Sequence, residues 1–222
     1  MKWYSDEVQR LRVTLHFLDD TILAVKHGEG GAQETHPVAL ADVAGALAGV
    51  SLGSGLLPDG ALFWQRVAGQ EQIGVYVPPR RWAVTVRLGK TDAAAWTVPM
   101  PPLVWVGCGQ KYSLWALKGR PPAGERDVPL WRAPAPNVTA SDGVCAGTVQ
   151  FPACAPHTIH TALDMFFASE FNTHAGDNRC RSYPSVVDLW RALDGRQRFP
   201  LGELVPARKM LAQVMEKQRH DD

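Results

Sequence analysis

The sequence predicts an α+β fold, an antiparallel meander sheet with helices flanking one side or end of it. Three observations carry this expectation. From Ala61 to Trp131 the chain is a series of alternating or continuous apolar runs divided by Gly and Pro turns. A proline-rich segment containing a cysteine follows. After Phe151-Pro152 the apolar spacing changes to three and four residues, the period of helices. Strands grouped before helices mark an α+β order rather than an alternating one.

Residues 1–60 read as an N-terminal elaboration and residues 61–222 as the main domain with C-terminal helices. Leu11 to Val25 reads as a β-hairpin about Asp19-Asp20, and Gly28 to Gly31 as a turn. Val38 to Val50 carries Val38, Val43, Leu47 and Val50 near helical spacing, with His36 near the start and Pro37 suited to a first turn. Pro58-Asp59-Gly60 is a turn signal. Strands are expected over Ala61–Val67, Gln72–Val77 and Arg81–Leu88, with some extended structure over 93–98. Leu103–Val106, Tyr112–Leu117 and a strand from Leu130 complete the meander, with Gly107-Cys108-Gly109 as a turn. The prolines of Ala133-Pro134-Ala135-Pro136-Asn137 force an irregular crossing. Helices are expected over Thr161–Phe171, Ser185–Leu193 (stopped by Asp194-Gly195) and Leu204–Gln218.

The 222 residues suffice for one sizeable core, and 45% hydrophobic with 20% charged residues is the balance of a folded globular chain. A formal net charge of +1 gives no global field for nucleic acid or for an acidic membrane. The short basic clusters, Arg80-Arg81 and Arg179 with Arg181, read as solvated loop charges. No apolar run approaches the roughly 20 residues that span a bilayer. Met1 to Glu7 lacks a signal-peptide apolar core, so a cytoplasmic protein is expected. There Cys108, Cys145, Cys154 and Cys180 should be reduced thiols, each acting as core filler, ligand or nucleophile.

The stretch that carries chemistry is Ala135-Pro136-Asn137-Val138-Thr139-Ala140-Ser141-Asp142-Gly143-Val144-Cys145. A Pro-Asn pair, a polar turn and a Gly-Val lead-in to a cysteine resemble the active-site segment of ubiquitin-conjugating (E2) enzymes. In that family a His-Pro-Asn turn precedes a Gly-x-(Ile/Val)-Cys element by a similar gap. Pro136, Asn137, Gly143, Val144 and Cys145 match, and Ala135 stands where the family histidine would be. The missing histidine, Pro78-Pro79-Arg80-Arg81, Pro99 to Val106 and the stretch Phe167 to His174 are similar to a bacterial branch, prokaryotic E2 family D. That branch includes a protein of the plasmid-associated PRTRC cassette. The resemblance spans roughly residues 60–200.

The resemblance implies an E2-like fold and an E2-type acyl carrier and transferase that holds a ubiquitin-like protein as a thioester on Cys145. Such transfer needs a nucleophilic thiol and a donor for the charge developing on the carbonyl oxygen. The resemblance gives the second role to Asn137. His174 is the first choice for an auxiliary base or orienting residue, ahead of His157 and His160. The implied partners are a ubiquitin-like protein, an E1-like (ThiF-type) activating enzyme and a JAB-type peptidase, with no cofactor, membrane or nucleic acid.

Rival readings remain. Cys145, Cys154, His157, His160, His174 and Cys180 form a Cys/His-rich region, but no Cys-x-x-Cys anchors a zinc site. An inactive E2-like partner-binding module is the second alternative. Nucleic-acid binding lacks a basic face or recognition-helix pattern. Cys108 reads as structural, and Leu103–Trp105 as core or as part of a partner surface.

Overall fold

The computed structural model describes residues 12–19, 21–28, 31–48 (backbone only at 46–48), 55–67, 69–89, 91–145, 147–172 and 178–216. The chain divides into two compact units, residues 1–53 and residues 54–222.

In the first unit, β1 (Val13–Phe17) and β2 (Ile22–His27) form the expected hairpin. β3 (Gln33–Val38) then pairs antiparallel with β2, giving the order β1-β2-β3. Among the described residues, helix α1 covers Leu40–Ala48. His36 and Pro37 therefore lie in a strand, not in a helix start, and the helical reading from Val38 is corrected. The polar run Gln33-Glu34-Thr35-His36 carries little strand signal of its own, and pairing with β2 decides it. Pro37 is tolerated because β3 is outermost in the sheet.

The second unit contains two sheets. The larger has the order β12-β10-β9-β8-β5-β4, built from β4 (Ala61–Val67), β5 (Gln70–Val77), β8 (Leu103–Cys108), β9 (Lys111–Ala116), β10 (Pro129–Arg132) and β12 (Pro206–Met210). The smaller has the order β11-β6-β7, with β6 (Arg81–Arg87), β7 (Ala93–Pro99) and the two-residue β11 (Glu170–Phe171). The α+β reading holds: twelve strands and four α-helices lie among the described residues, with β8, β9 and β10 as the meander.

Helix α2 (Ile159–Ala168) buries Ile159, Ala162, Leu163, Phe166 and Phe167, of which Leu163, Phe166 and Phe167 belong to the apolar stripe that the spacing predicts together with Phe171. It ends three residues earlier than expected. Phe171 leaves the helix because β11 pairs in parallel with β6, Phe171 opposite Val86. Helix α3 (Val186–Leu193) starts at Ser185, whose hydroxyl accepts from the Asp188 amide at 3.1 Å. Gly195 follows its C-cap with φ 72°, a left-handed position that glycine takes without steric cost.

The helix expected over 204–218 is also corrected. Residues 206–210 form β12 against β10, and only α4 (Leu211–Glu216) is helical among the described residues. The Val128 and Arg126 carbonyls take the Leu211 and Ala212 amides at 2.9 and 3.0 Å, supplying first-turn partners that a helix cannot make for itself.

β8 is buried along its whole length because both of its faces are covered. Leu103 and Trp105 face the core shared with α2, α3 and the smaller sheet, whereas Val104 and Val106 pack with Leu211 and Val214 of α4. The partner-surface alternative for Leu103–Trp105 is thereby excluded. Among the described residues no helix is long and apolar enough to cross a membrane.

Candidate functional site

After β10 the prolines stop regular pairing, and side chains take over the carbonyls of the crossing segment. Arg179 donates to the Ala133 carbonyl at 3.3 Å, and the Trp190 indole to Pro134 at 2.7 Å. Ala135, at the position of the absent histidine, is buried. The chain then turns at Asn137, which is left-handed with φ 58°, a conformation that Asn adopts more readily than most residues.

Residues 137–145 form a small hairpin. Val138 bridges Val144, the Thr139 amide donates to Gly143 at 2.8 Å, and the Cys145 amide donates to Asn137 at 2.8 Å. The turn closes through the Asp142 amide on the Thr139 carbonyl at 2.9 Å. The single Cys145–Asn137 bond, one step beyond the Val138–Val144 bridge, holds the Cys145 backbone beside that of Asn137. The second arm lies along β9: Ser113 bridges Gly143, Val144 donates to Tyr112 at 2.8 Å, and Leu114 donates to Asp142 at 3.1 Å. The hairpin thus leads an exposed Cys145 off the large sheet.

Asn137 is 7% exposed. Its Nδ2 donates to the Glu170 carbonyl at 3.0 Å, and its Oδ1 accepts from the Asn172 amide at 3.3 Å. The side chain therefore joins the hairpin to β11. Nδ2 carries two hydrogens, and one is committed to Glu170.

A charge cluster lies under the turn. Asp142 is 2% exposed and Arg179 1%. The guanidinium donates to Asp142 Oδ1 at 3.4 Å and to the Thr139 carbonyl. Lys209 Nζ lies 3.1 Å from Asp142 Oδ2, with its side chain 30% exposed. Burial lowers the Arg179 pKa from its ordinary value, with Asp142 opposing that shift and Arg132 adding to it. The expectation that Arg179 is a solvated loop charge is corrected: it is a structural ion inside the fold. Arg181 and Arg81 are exposed, as expected.

The other cysteines face different surroundings. Cys108 ends β8 and is buried; Gly107 and Cys108, read from sequence as part of the turn, belong to the strand, and the turn is made by Gly109 and Gln110. Burial raises its pKa. Cys154 is buried, its amide bonded to the Gly109 carbonyl at 2.6 Å, and burial pushes its thiol up to about 12. A Cβ on Gly107 would come within 2.8 Å of the Cys154 sulfur, so glycine is what lets the segment after Cys145 cross so closely. Cys180 is half-buried, its thiol against the Tyr183 carbonyl at 3.4 Å.

His157 is exposed, and His160 Nε2 lies 3.0 Å from the Asp59 carbonyl. His174 lies outside the described residues. Among the described residues no three His, Cys, Asp or Glu side chains gather as a ligand set for a metal.

Sequence reasoning missed Arg179 and Lys209 and gave Asp142 no role beyond its turn. No local pattern announces Arg179 or Lys209, since their contacts span 37 and 67 residues. The only local signal was Asp142 itself, a carboxylate in the turn that leads to Cys145.

No curated protein and no solved structure matches the chain. The family comparison does: residues 46–207 match prokaryotic E2 family D, and that span covers the crossing segment, the hairpin, α2 and α3. An E2-like sheet, a Pro-Asn turn and an exposed cysteine across from the asparagine agree with that match, and the chain belongs to prokaryotic E2 family D.

Proposed function

We propose that the protein is a conjugating carrier, which accepts a ubiquitin-like protein as a thioester on Cys145 and passes it to an acceptor. The observation that supports this reading most is the exposed Cys145 across the hairpin from Asn137. The Cys145 thiolate would attack the carbonyl carbon of the thioester held by an E1-like activating enzyme. That enzyme's thiolate leaves as the new C–S bond replaces the old one. An acceptor amine then displaces Cys145, forming an amide and returning the thiolate. The second Nδ2 hydrogen of Asn137 is assigned to the developing oxyanion, a contribution of about 3 kcal/mol where such donors have been removed from other enzymes. His174, two residues beyond Asn172 in sequence, is assigned to deprotonating the acceptor or orienting Asn137. A JAB-type peptidase is the proposed partner for reversal.

The test is a charging reaction with the cognate E1-like enzyme, the ubiquitin-like protein and ATP. A reductant-sensitive adduct is expected, absent in Cys145→Ala and converted to a reductant-resistant oxyester, or lost, in Cys145→Ser. Cys145 is exposed, so both variants should keep the native thermal midpoint. One observation favours a second reading, a partner-binding module without transfer: the Asn137 amide is engaged with β11. No adduct from an active E1-like enzyme would establish that reading instead.

A further inference from the structure

The described residues contain four non-glycine positions with positive φ: Asn137 (58°), Asp142 (71°), Asn178 (57°) and Arg208 (56°). All four fall in one place. Asn137 and Asp142 lie in the cysteine hairpin, Asn178 precedes Arg179, and Arg208 precedes Lys209. A left-handed conformation is unfavourable for a residue with a Cβ, most of all for one like Arg208, and persists where surrounding contacts require it. Here each such position is within the hairpin or adjacent to a side chain that holds it.

The geometry shows how. The β10–β12 pairing shifts register between Leu130, opposite Lys209, and Trp131, opposite Pro206. Arg208 lies within that bulge, and the re-aimed strand brings Lys209 Nζ to Asp142 Oδ2 at 3.1 Å. From the other side Arg179 reaches Asp142 Oδ1, Thr139 and Ala133. Asp142 also serves the sheet, its carbonyl accepting from Leu114 at 3.1 Å. One carboxylate therefore connects two cations from distant parts of the chain to the turn three residues before the thiol.

We infer that Asp142, Arg179 and Lys209 form the positioning device for Cys145, fixing the hairpin so that the thiol projects in a single orientation. This rests on the carrier reading. None of the three is assigned contact with the reacting atoms. They act through the turn, and a thiol held in attack geometry loses less entropy on reaching its thioester partner than one on a loose loop.

Arg179 and Asp142 are buried deeply enough that replacing either endangers the whole fold. The test therefore rests on Lys209, which is half-exposed, by comparing Lys209→Met with Lys209→Arg. Both keep the aliphatic stem, and only the second keeps the cation. Amide hydrogen exchange resolved to single residues is read at Val144 and Cys145, with β8 as the internal reference. Lys209→Met is expected to speed exchange at Val144 and Cys145 about three- to fivefold. β8 should exchange as before, and the thermal midpoint should move by no more than about 3 °C. Lys209→Arg should restore wild-type exchange to within about twofold. The initial charging rate at saturating E1-like enzyme should follow the same order. Wild-type exchange at Val144 and Cys145 in Lys209→Met, acceleration shared equally by β8, or no recovery in Lys209→Arg would each overturn the inference. Exchange needs no partner protein, so a wild type that cannot be charged counts against the carrier reading while exchange still decides the positioning role.

Discussion

The aromatic wall between the sheets and the cysteine hairpin are built by opposite means. In the wall, Trp82 stacks on Phe167 at 3.8 Å and Trp105 on Tyr112 at 4.9 Å, while Phe166 meets Phe171 edge-on at 5.2 Å and Phe171 meets Trp190 at 4.9 Å. Its cohesion comes mainly from apolar area, which has little directional demand and scales with the surface removed from water. The hairpin is held by backbone bonds to β9, one side-chain amide and a buried carboxylate between two cations. Each of those contacts has a direction, and losing one strands its partner. The wall therefore sets how stable the fold is, and the hairpin sets where one sulfur atom points.

The largest effect should come from breaking the wall. Phe166→Ala removes a ring that touches Trp105, Phe167 and Phe171, and should cost about 3–5 kcal/mol in denaturant unfolding. A loss below about 1 kcal/mol would mean that the wall is not the stabilising half.

Next comes the charge cluster. Asp142→Asn leaves Arg179 buried without its carboxylate and should cost about 3 kcal/mol. The double variant Asp142→Asn/Arg179→Met should recover part of that stability, because it removes the cation left buried and unpaired while keeping a residue that tolerates the left-handed turn position. It should not recover charging. Recovery of both would show that the cluster serves only stability.

The smallest effect concerns a thiol inside the wall. Cys154 packs in the wall with a pKa raised from 9.0 to about 12, so well below pH 9 it is protonated in both folded and unfolded states. As pH rises above 9 the unfolded chain loses its proton first, and stability falls until the folded thiol itself ionises. At pH 10 the loss is about 1 kcal/mol relative to pH 8. Cys154→Ala should flatten that slope in paired urea titrations. Equal slopes in wild type and Cys154→Ala would place the pH sensitivity elsewhere.

The same division decides what a reader of the sequence can see. The stripe of α2, the alternation of Trp82, Val84 and Val86 in β6, and the helix stop at Asp194-Gly195 are local periodicities or local chemistry, and each was legible. Cys145 and Asn137 lie eight residues apart in one local motif, and the hydrogen bond between their backbones closes within it. The polar strand β3 and the strand β12 were not legible, since each is extended because of its partner rather than its composition. Arg179 looked like any loop arginine, because its burial is decided by residues 37 to 46 positions away.

The hairpin has one more consequence, along the outer side of β9. Trp115 and Ala116 pair with Arg132 and Trp131 of β10, while Tyr112, Ser113 and Leu114 are taken by Val144, Gly143 and Asp142. An extended polypeptide arriving at Cys145 finds no bare row of amides and carbonyls on β9 to which it could add as a further strand. Under the carrier reading, recognition next to the thiol would fall to side chains and surface shape, and two copies of the protein are denied a strand on β9 through which to aggregate.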